Sequence, residues 1–446
     1  HLQTQPGRIQ PIDSSQLGRR PEPPPPPSPS LTQDAMKPMQ QDVPPIRIEA
    51  VRVTAGIGGH WINDQMAVQT GATADGYFFE GPTSSTAFPA VRSPSVAYLV
   101  SLDLADGQTA HGDCTTVANA GYAGRPLPLR REDVQAVQAV LQESLAGRSF
   151  AGFREAAGAL DAMPLADTLR LPVEYGVSQA LLEAAALASR TRMVDVLCRE
   201  FGRPGPPRGP GFAGSCGGAW EANVDKAIVR GLDMFPQSAI QSRAECERLP
   251  DYAAWIAGRI RKLGAAGYRP DLHFDFHSSL GRMLDNDEDR VLDYLATICE
   301  RAAGLTVFFE DPMLSGSAAE ARERMGSLRA KLDARLPNAR LIADEWANGP
   351  GNVRAFAASG AAHAVQIKMP DNGSLLTTID AIQGCQEHGT LAYLGGSCNE
   401  TDISSRASIH VGLAFGAWRM LTKPGLGFDE GLMIMTNEIS RTLSKR

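Results

Sequence analysis

Four short apolar runs in the second half of the chain each end in a group able to do chemistry. "PDLHFDF" carries Asp275 two residues after His273, and "LTVFFED" carries Glu310 two after Phe308. "ARLIADE" carries Asp344 two after Ile342, and "HAVQIKM" carries Lys368 two after Gln366. Residues two apart share a face of a strand, so each polar terminus points the same way as the inward position before it. A single acidic strand end is commonly a helix cap or a loop ligand. Three on successive strands, with a lysine on the next, require another explanation. Carboxylates converging at one end of a barrel repel one another unless a cation lies between them, and an all-oxygen donor set favours a hard ion such as Mg²⁺. Beside such an ion and out of water, Lys368 is expected to have its pKa lowered toward the range where a neutral amine acts as a base. The ion would hold a substrate carboxylate and stabilise the enediolate left when the neighbouring carbon loses its proton. A Schiff-base lysine is the rival reading, but that chemistry has little use for three converging carboxylates.

The elements that must position these groups follow from the rhythm of the chain. Together with "TLAYLGG", the four runs alternate with helical stretches such as "DEDRVLDYLATICERAA" and "AAEARERMGSLRAKLDARL". At least five such units within residues 206–446 predict a modified (β/α)8-type barrel, rather than the doubly wound sheet that shares the rhythm. Upstream, residues 46–205 open with strands: "IRIEAVRVT", then "SVAYLVSLDLADGQTAHGDC", a hairpin turning at Asp106-Gly107. The helical patterns "REDVQAVQAVLQESLAG" and "VEYGVSQALLEAAALASR" follow, which makes this an α+β unit. "FGRPGPPRGPGFAG" interrupts the pattern and marks the boundary. Residues 1–45, centred on "RPEPPPPPSPS", read as a disordered Pro-rich tail, a linker or appended segment rather than a polyproline ligand. Met36, where folded character begins, is an alternative natural start.

Composition narrows the function classes. With 446 residues, 43% of them hydrophobic, the chain can fill the cores of two or three domains. A net charge of −7 and the lack of a basic run argue against nucleic acid or an anionic membrane as partner and leave a small-molecule substrate. The seven cysteines are scattered and never spaced C-x-x-C, so neither a disulfide framework nor a structural zinc site is suggested, and a reducing cytosol fits. No apolar run approaches the ~20 residues needed to span a bilayer. A soluble, cytoplasmic protein is expected. "GIGGH" lacks the context of a nucleotide loop. His273 and His111 are expected to pack rather than react, and the sequons at Asn372 and Asn399 are discounted because they fall among the proposed active-site loops.

Taken together, "HFDFHSSLG", "FFEDP", "IADEWAN", "VQIKMPD" and "LGGSCNETD" resemble the barrel motifs of the methylaspartate ammonia-lyase family of the enolase superfamily. The resemblance extends upstream through "HWINDQMAVQTGATADGYFFEG", "DGQTAHGDC" and "VEYGVSQALLEA", and downstream through "GFDEGLMIMTNEISR". It implies an α+β capping domain on the barrel, a homodimer, Mg²⁺, and K⁺ as a monovalent activator. It also implies roles: Asp275, Glu310 and Asp344 as metal ligands, and Lys368 as the base that takes the C3 proton of (2S,3S)-3-methylaspartate before ammonia leaves to give mesaconate. Gln366 matches a residue that holds the metal-bound carboxylate. Ser397 and Cys398 match the Thr-Cys pair that binds the other carboxylate.

Two departures from the family pattern stand out. "MFPQSAI" places Gln237 where the family has a histidine base on the opposite face, and an amide cannot shuttle a proton near neutral pH. "AGSCGGAWEANVDK" places Gly214 or Ser215 nearest a substrate-binding glutamine, with a one-residue insertion. The main reading is therefore an ammonia-lyase specific for one C3 stereochemistry. A related lyase, dehydratase or racemase acting on another amino or hydroxy acid is the alternative, and a pseudoenzyme or interaction protein is the non-catalytic one.

Overall fold

The first strand shows how the apolar pattern shapes the cap. In the first part of β1 (Ile46–Asn63) the buried positions are Ile46 and Ile48, then Val51 and Val53, so the inward parity changes between the two pairs. A register shift between Ile48 and Ala50 in the pairing with β4 (Arg92–Leu104) accounts for this: one extra residue turns the following side chains over. β4 pairs in turn with β5 (Thr109–Cys114), and β6 (Ser149–Phe150) lies on the other side of β1, giving an antiparallel sheet in the order β5-β4-β1-β6. The expected hairpin is thus β4–β5. Its turn closes through Gly107, whose φ of +81° and hydrogen bond to the Leu104 carbonyl at 2.9 Å suit glycine. Two short strands, β2 (Thr73–Asp75) and β3 (Phe78–Glu80), form a separate hairpin.

Both expected cap helices are present, over Val134–Leu145 and Asp167–Ala188. Gln138 and Gln142 of the first accept hydrogen bonds from the β1 amides of Val53 and Val51 at 3.0 and 2.8 Å. The second is buried along most of its length because it is covered from two sides. Gln179 bonds to Asp113 of the cap sheet, while Ser178 accepts a bond from Leu375 of the barrel at 3.0 Å.

The barrel consists of β7 (Gly211–Ala213), β8 (Met234–Ala239), β9 (Asp271–Asp275), β10 (Val307–Glu310), β11 (Ala339–Ala343), β12 (Ala364–Ile367), β13 (Leu391–Leu394) and β14 (Arg419–Leu421). Neighbouring strands are parallel, and β14 pairs with β7 to close the ring. Ala213, Met234, Phe308, Ile342, Ala364, Tyr393 and Leu421 pack together inside it. Phe308, Ile342 and Ala364 thus occupy the inward parity that also carries Glu310, Asp344 and Lys368. Val365 and Ile367 face outward into the larger core beneath the helices.

This computed structural model describes residues 43–205, 209–217, 220–240 and 242–444, which lie within one compact unit. The expected tail falls outside the described residues except for positions 43–45. Cys114, Cys216, Cys246, Cys299, Cys385 and Cys398 form no disulfide, and among the described residues no helix is long and apolar enough to cross a membrane.

Candidate active site

Strand register assembles the acidic cluster. Glu310 lies opposite Asp275 across the β9–β10 pair, and Ile342 lies opposite Glu310 on β11, which brings Asp344 to the same rim. One oxygen from each of Asp275, Glu310 and Asp344 lies within 4.8 Å of the others, and all three residues are buried. Protein donors orient every member. Glu310 is held by Gln366 Nε2 at 2.5 Å and has His273 Nε2 at 2.7 Å from its other oxygen. Asp275 accepts from Gln237 Nε2 at 3.0 Å, and His277 Nδ1 is 2.9 Å from its other oxygen. Asp344 is shared between Lys368 Nζ and an Arg125 guanidinium nitrogen at 3.2 Å. Three oxygen donors, enclosed and preoriented, fit a hard divalent cation.

The backbone is bent to serve these contacts. Gln237 is an extra residue in β8 between Pro236 and Ser238, with φ of +42°, and this bulge turns its side chain onto Asp275. His277, Asp311 and Cys398 also adopt positive φ, in the loops that follow β9, β10 and β13. Such conformations in non-glycine residues persist where surrounding contacts hold them.

Charge within the site is strongly coupled. Burial, with Asp275 and Asp344 adding to it, pushes the Glu310 carboxyl well above its usual range. Burial opposes ionisation of Asp344 as well, but Lys368 and Arg125 outweigh it and hold the group at about 2. His273 is kept neutral, its pKa pushed down to about 4 by burial. His277 is raised to about 9, because Asp275 overcomes the desolvation of its ring. Lys368 departs from the expected direction: burial disfavours its ammonium form, yet Asp344, Glu345 and Glu310 outweigh that cost and raise its pKa above the ordinary lysine value. The expectation of a lowered pKa treated the lysine as the neighbour of a cation; here its nearest partner is a carboxylate.

The remaining expected residues lie around this cluster. Cys398 is in the loop after β13, partly exposed, with its thiol pushed up to about 12 by burial. Ser397 is fully buried, and its amide donates to Glu400 at 2.5 Å. Ser215 donates through Oγ to the Gln237 carbonyl at 3.3 Å, and the adjacent Gly214 amide bonds to the Met234 carbonyl. His111 sits on the cap, 3.2 Å from Ser101 Oγ, away from the cluster. Asn372 and Asn399 are both buried, in keeping with the discounted sequons.

Sequence reasoning missed Arg125, Glu345 and Asp371. Arg125 enters from the cap, has no exposed side-chain surface, and pairs with Asp344, Glu345 and Asp371. Its only local signal is the glycine-bearing turn "AGYAGR", which says nothing about where the guanidinium goes.

Comparison with known families is decisive about ancestry. Residues 46–202 match the family described as methylaspartate ammonia-lyase N-terminus, and residues 207–446 match methylaspartate ammonia-lyase C-terminus. The chain belongs to the methylaspartate ammonia-lyase family. The methylaspartate ammonia-lyase of Citrobacter amalonaticus is 35% identical over 407 residues, covering 90% of this chain and 98% of the relative. A solved Citrobacter amalonaticus structure containing (2S,3S)-3-methylaspartic acid superposes with a TM-score of 0.85 at 34% identity, covering 90% of this chain and 99% of that one. The Mg-complex of β-methylaspartase from Clostridium tetanomorphum gives 0.81 at 36% identity, with 89% and 98% covered. Muconate cycloisomerase from Pseudomonas fluorescens shares the fold alone, with a TM-score of 0.59 at 18% identity over 86% of this chain and 88% of that one. The family's cap and barrel are therefore both present in this chain.

Proposed function

We propose that this chain is an Mg²⁺-dependent ammonia-lyase that converts (2S,3S)-3-methylaspartate into mesaconate and ammonia. The observation that carries the reading is the convergence of Asp275, Glu310 and Asp344 within 4.8 Å of one another beside Lys368, in a member of this family. Asp275, Glu310 and Asp344 would hold Mg²⁺, which would supply positive charge to stabilise the substrate carboxylate as the neighbouring carbon loses its proton. Lys368 Nζ accepts the C3 proton, the C3–H electron pair becomes the C2=C3 double bond, and the C2–N bond breaks to release ammonia. Gln366, held against Glu310, presents its amide beside the reacting carboxylate, and Ser397 and Cys398 receive the other carboxylate.

Gln237 makes the enzyme one-sided. Its amide donates to Asp275 and offers no titratable atom to the face opposite Lys368, so only substrate presenting C3–H to Lys368 reacts. Ser215 and Gly214 border that side with fewer polar atoms than the family's glutamine offers. The same reading takes K⁺ as a second, activating cation, a homodimer as the working form, the cytoplasm as the location, and residues 205/206 as the division between cap and barrel.

The direct test follows absorbance of the conjugated product with (2S,3S)-3-methylaspartate, Mg²⁺ and K⁺. Metal-dependent mesaconate formation, abolished by EDTA and by Lys368→Ala, is the expected result. Folded, Mg²⁺-binding protein that forms no product would overturn the substrate and redirect the search to other amino or hydroxy acids.

A further inference from the structure

Arg125 belongs to the cap but is wholly enclosed at the barrel mouth, where it meets carboxylates from two separate segments. Its guanidinium reaches Asp344 at 3.2 Å and Glu345, both in the loop after β11, while Nε donates to Asp371 at 2.8 Å. Asp371 lies in the short helix Met369–Asn372 that immediately follows Lys368. That helix is tied back to the base: the Asp371 amide and Asn372 Nδ2 bond to the Lys368 carbonyl at 3.1 and 2.9 Å. Arg125 is itself fixed in place. Gly121, Ala123 and Gly124 all adopt positive φ ahead of it, and Asn348 Nδ2 donates to the Ala123 carbonyl at 3.0 Å.

We infer that Arg125 is a positioning residue for proton transfer, stapling the loop that carries Asp344 to the helix that follows Lys368. The inference rests on the proposed lyase reading and extends it to the cap. Lys368 and Asp344 come from neighbouring strands, and beyond the ion pair between them Arg125 ties the helix after Lys368 to the loop after β11. One planar fork spanning both loops fixes their spacing, and a single ammonium cannot reproduce that geometry. The rival role is a plain counter-charge for a crowded acidic pocket. The two roles differ in sign: loss of a counter-charge strengthens Mg²⁺ binding by Coulomb attraction, whereas loss of a staple weakens it by misplacing Asp344.

The test uses the full chain and two readouts, Mg²⁺ affinity by calorimetry without substrate and steady-state kinetics with (2S,3S)-3-methylaspartate. Arg125→Lys keeps the charge and loses the fork; we expect Mg²⁺ affinity and kcat each to fall about 10- to 100-fold, the usual cost of removing an orienting partner, with KM changed far less. Wild-type affinity and kcat in Arg125→Lys, or tighter Mg²⁺ binding in Arg125→Met, would overturn the inference. Should the arginine variants not fold, Asp371→Asn decides. It keeps the side-chain shape but weakens one arm of the staple, so kcat should fall about 10-fold while Mg²⁺ affinity holds; an unchanged kcat would overturn the staple. A wild-type chain that binds Mg²⁺ but releases no ammonia defeats the substrate assignment alone, and the Mg²⁺ measurements still judge Arg125.

Discussion

Lys368 must part from Asp344 before it can take a proton, and that requirement shapes the residue-level predictions. Lys368→Ala should lower turnover by about 10²- to 10⁴-fold, the usual contribution of a general base. It should bind Mg²⁺ at least as tightly as wild type in calorimetry, because a competing ammonium has been removed from Asp344. Gly395 gives a second handle. A Cβ there would sit 2.1 Å from Gln366 Oε1, so Gly395→Ala must push Gln366 off Glu310. We expect a loss of activity of about 10- to 100-fold with little change in the unfolding temperature; activity equal to wild type would mean that the Gln366–Glu310 contact does not matter. Asp275, Glu310, Asp344 and Lys368 were legible in the sequence because each ends a strand with a fixed inward parity. Arg125 was not: 219 residues separate it from Asp344, and no period links a turn in the cap to a strand end in the barrel.

At the scale of elements, legibility followed length and pattern. β9 to β13 announce themselves as apolar runs, whereas β7 and β14 have three residues each, too few for alternation to register. β8 hides behind Pro236 and Gln237, the residues that make its bulge. Packing between elements also carries a pH signature. His363 accepts a hydrogen bond from the Leu341 amide of β11 through Nδ1 at 3.0 Å, and its Nε2 lies 2.9 Å from Asp333 of the helix Ala318–Arg335. Burial lowers its pKa from 6.5 to about 4. Between those values the unfolded chain binds a proton that the folded chain does not, so this group makes stability rise with pH through the window and stay level above it. His363→Gln should flatten the dependence of Tm on pH between about 4 and 6.5; an unaltered slope would assign acid sensitivity to other groups.

For the whole molecule, the mutual repulsion of three buried carboxylates opposes folding, and a cation held between them would relieve it. An ion bound only by the folded chain adds about 2.7 kcal/mol at one hundred times its dissociation constant, so Mg²⁺ should raise Tm measurably. EDTA should reverse the shift and Asp275→Asn should abolish it. An Mg²⁺-induced rise that survives in Asp275→Asn would place the ion elsewhere.

The loop that carries Ser397 and Cys398 rests against the cap rather than against its own barrel alone. The Ala118 amide donates to the Ser397 carbonyl at 2.9 Å, Asn399 Nδ2 to the Thr116 carbonyl at 3.0 Å, and the Gly59 amide to the Asn399 carbonyl at 3.3 Å. The support of that loop is therefore encoded in the cap, far along the chain from Lys368 and the carboxylates. Substitutions at Gly59, Thr116 or Ala118 are expected to move Ser397 and Cys398 while Lys368 and the carboxylates stay in place, so a lineage could change its diet without reinventing its chemistry.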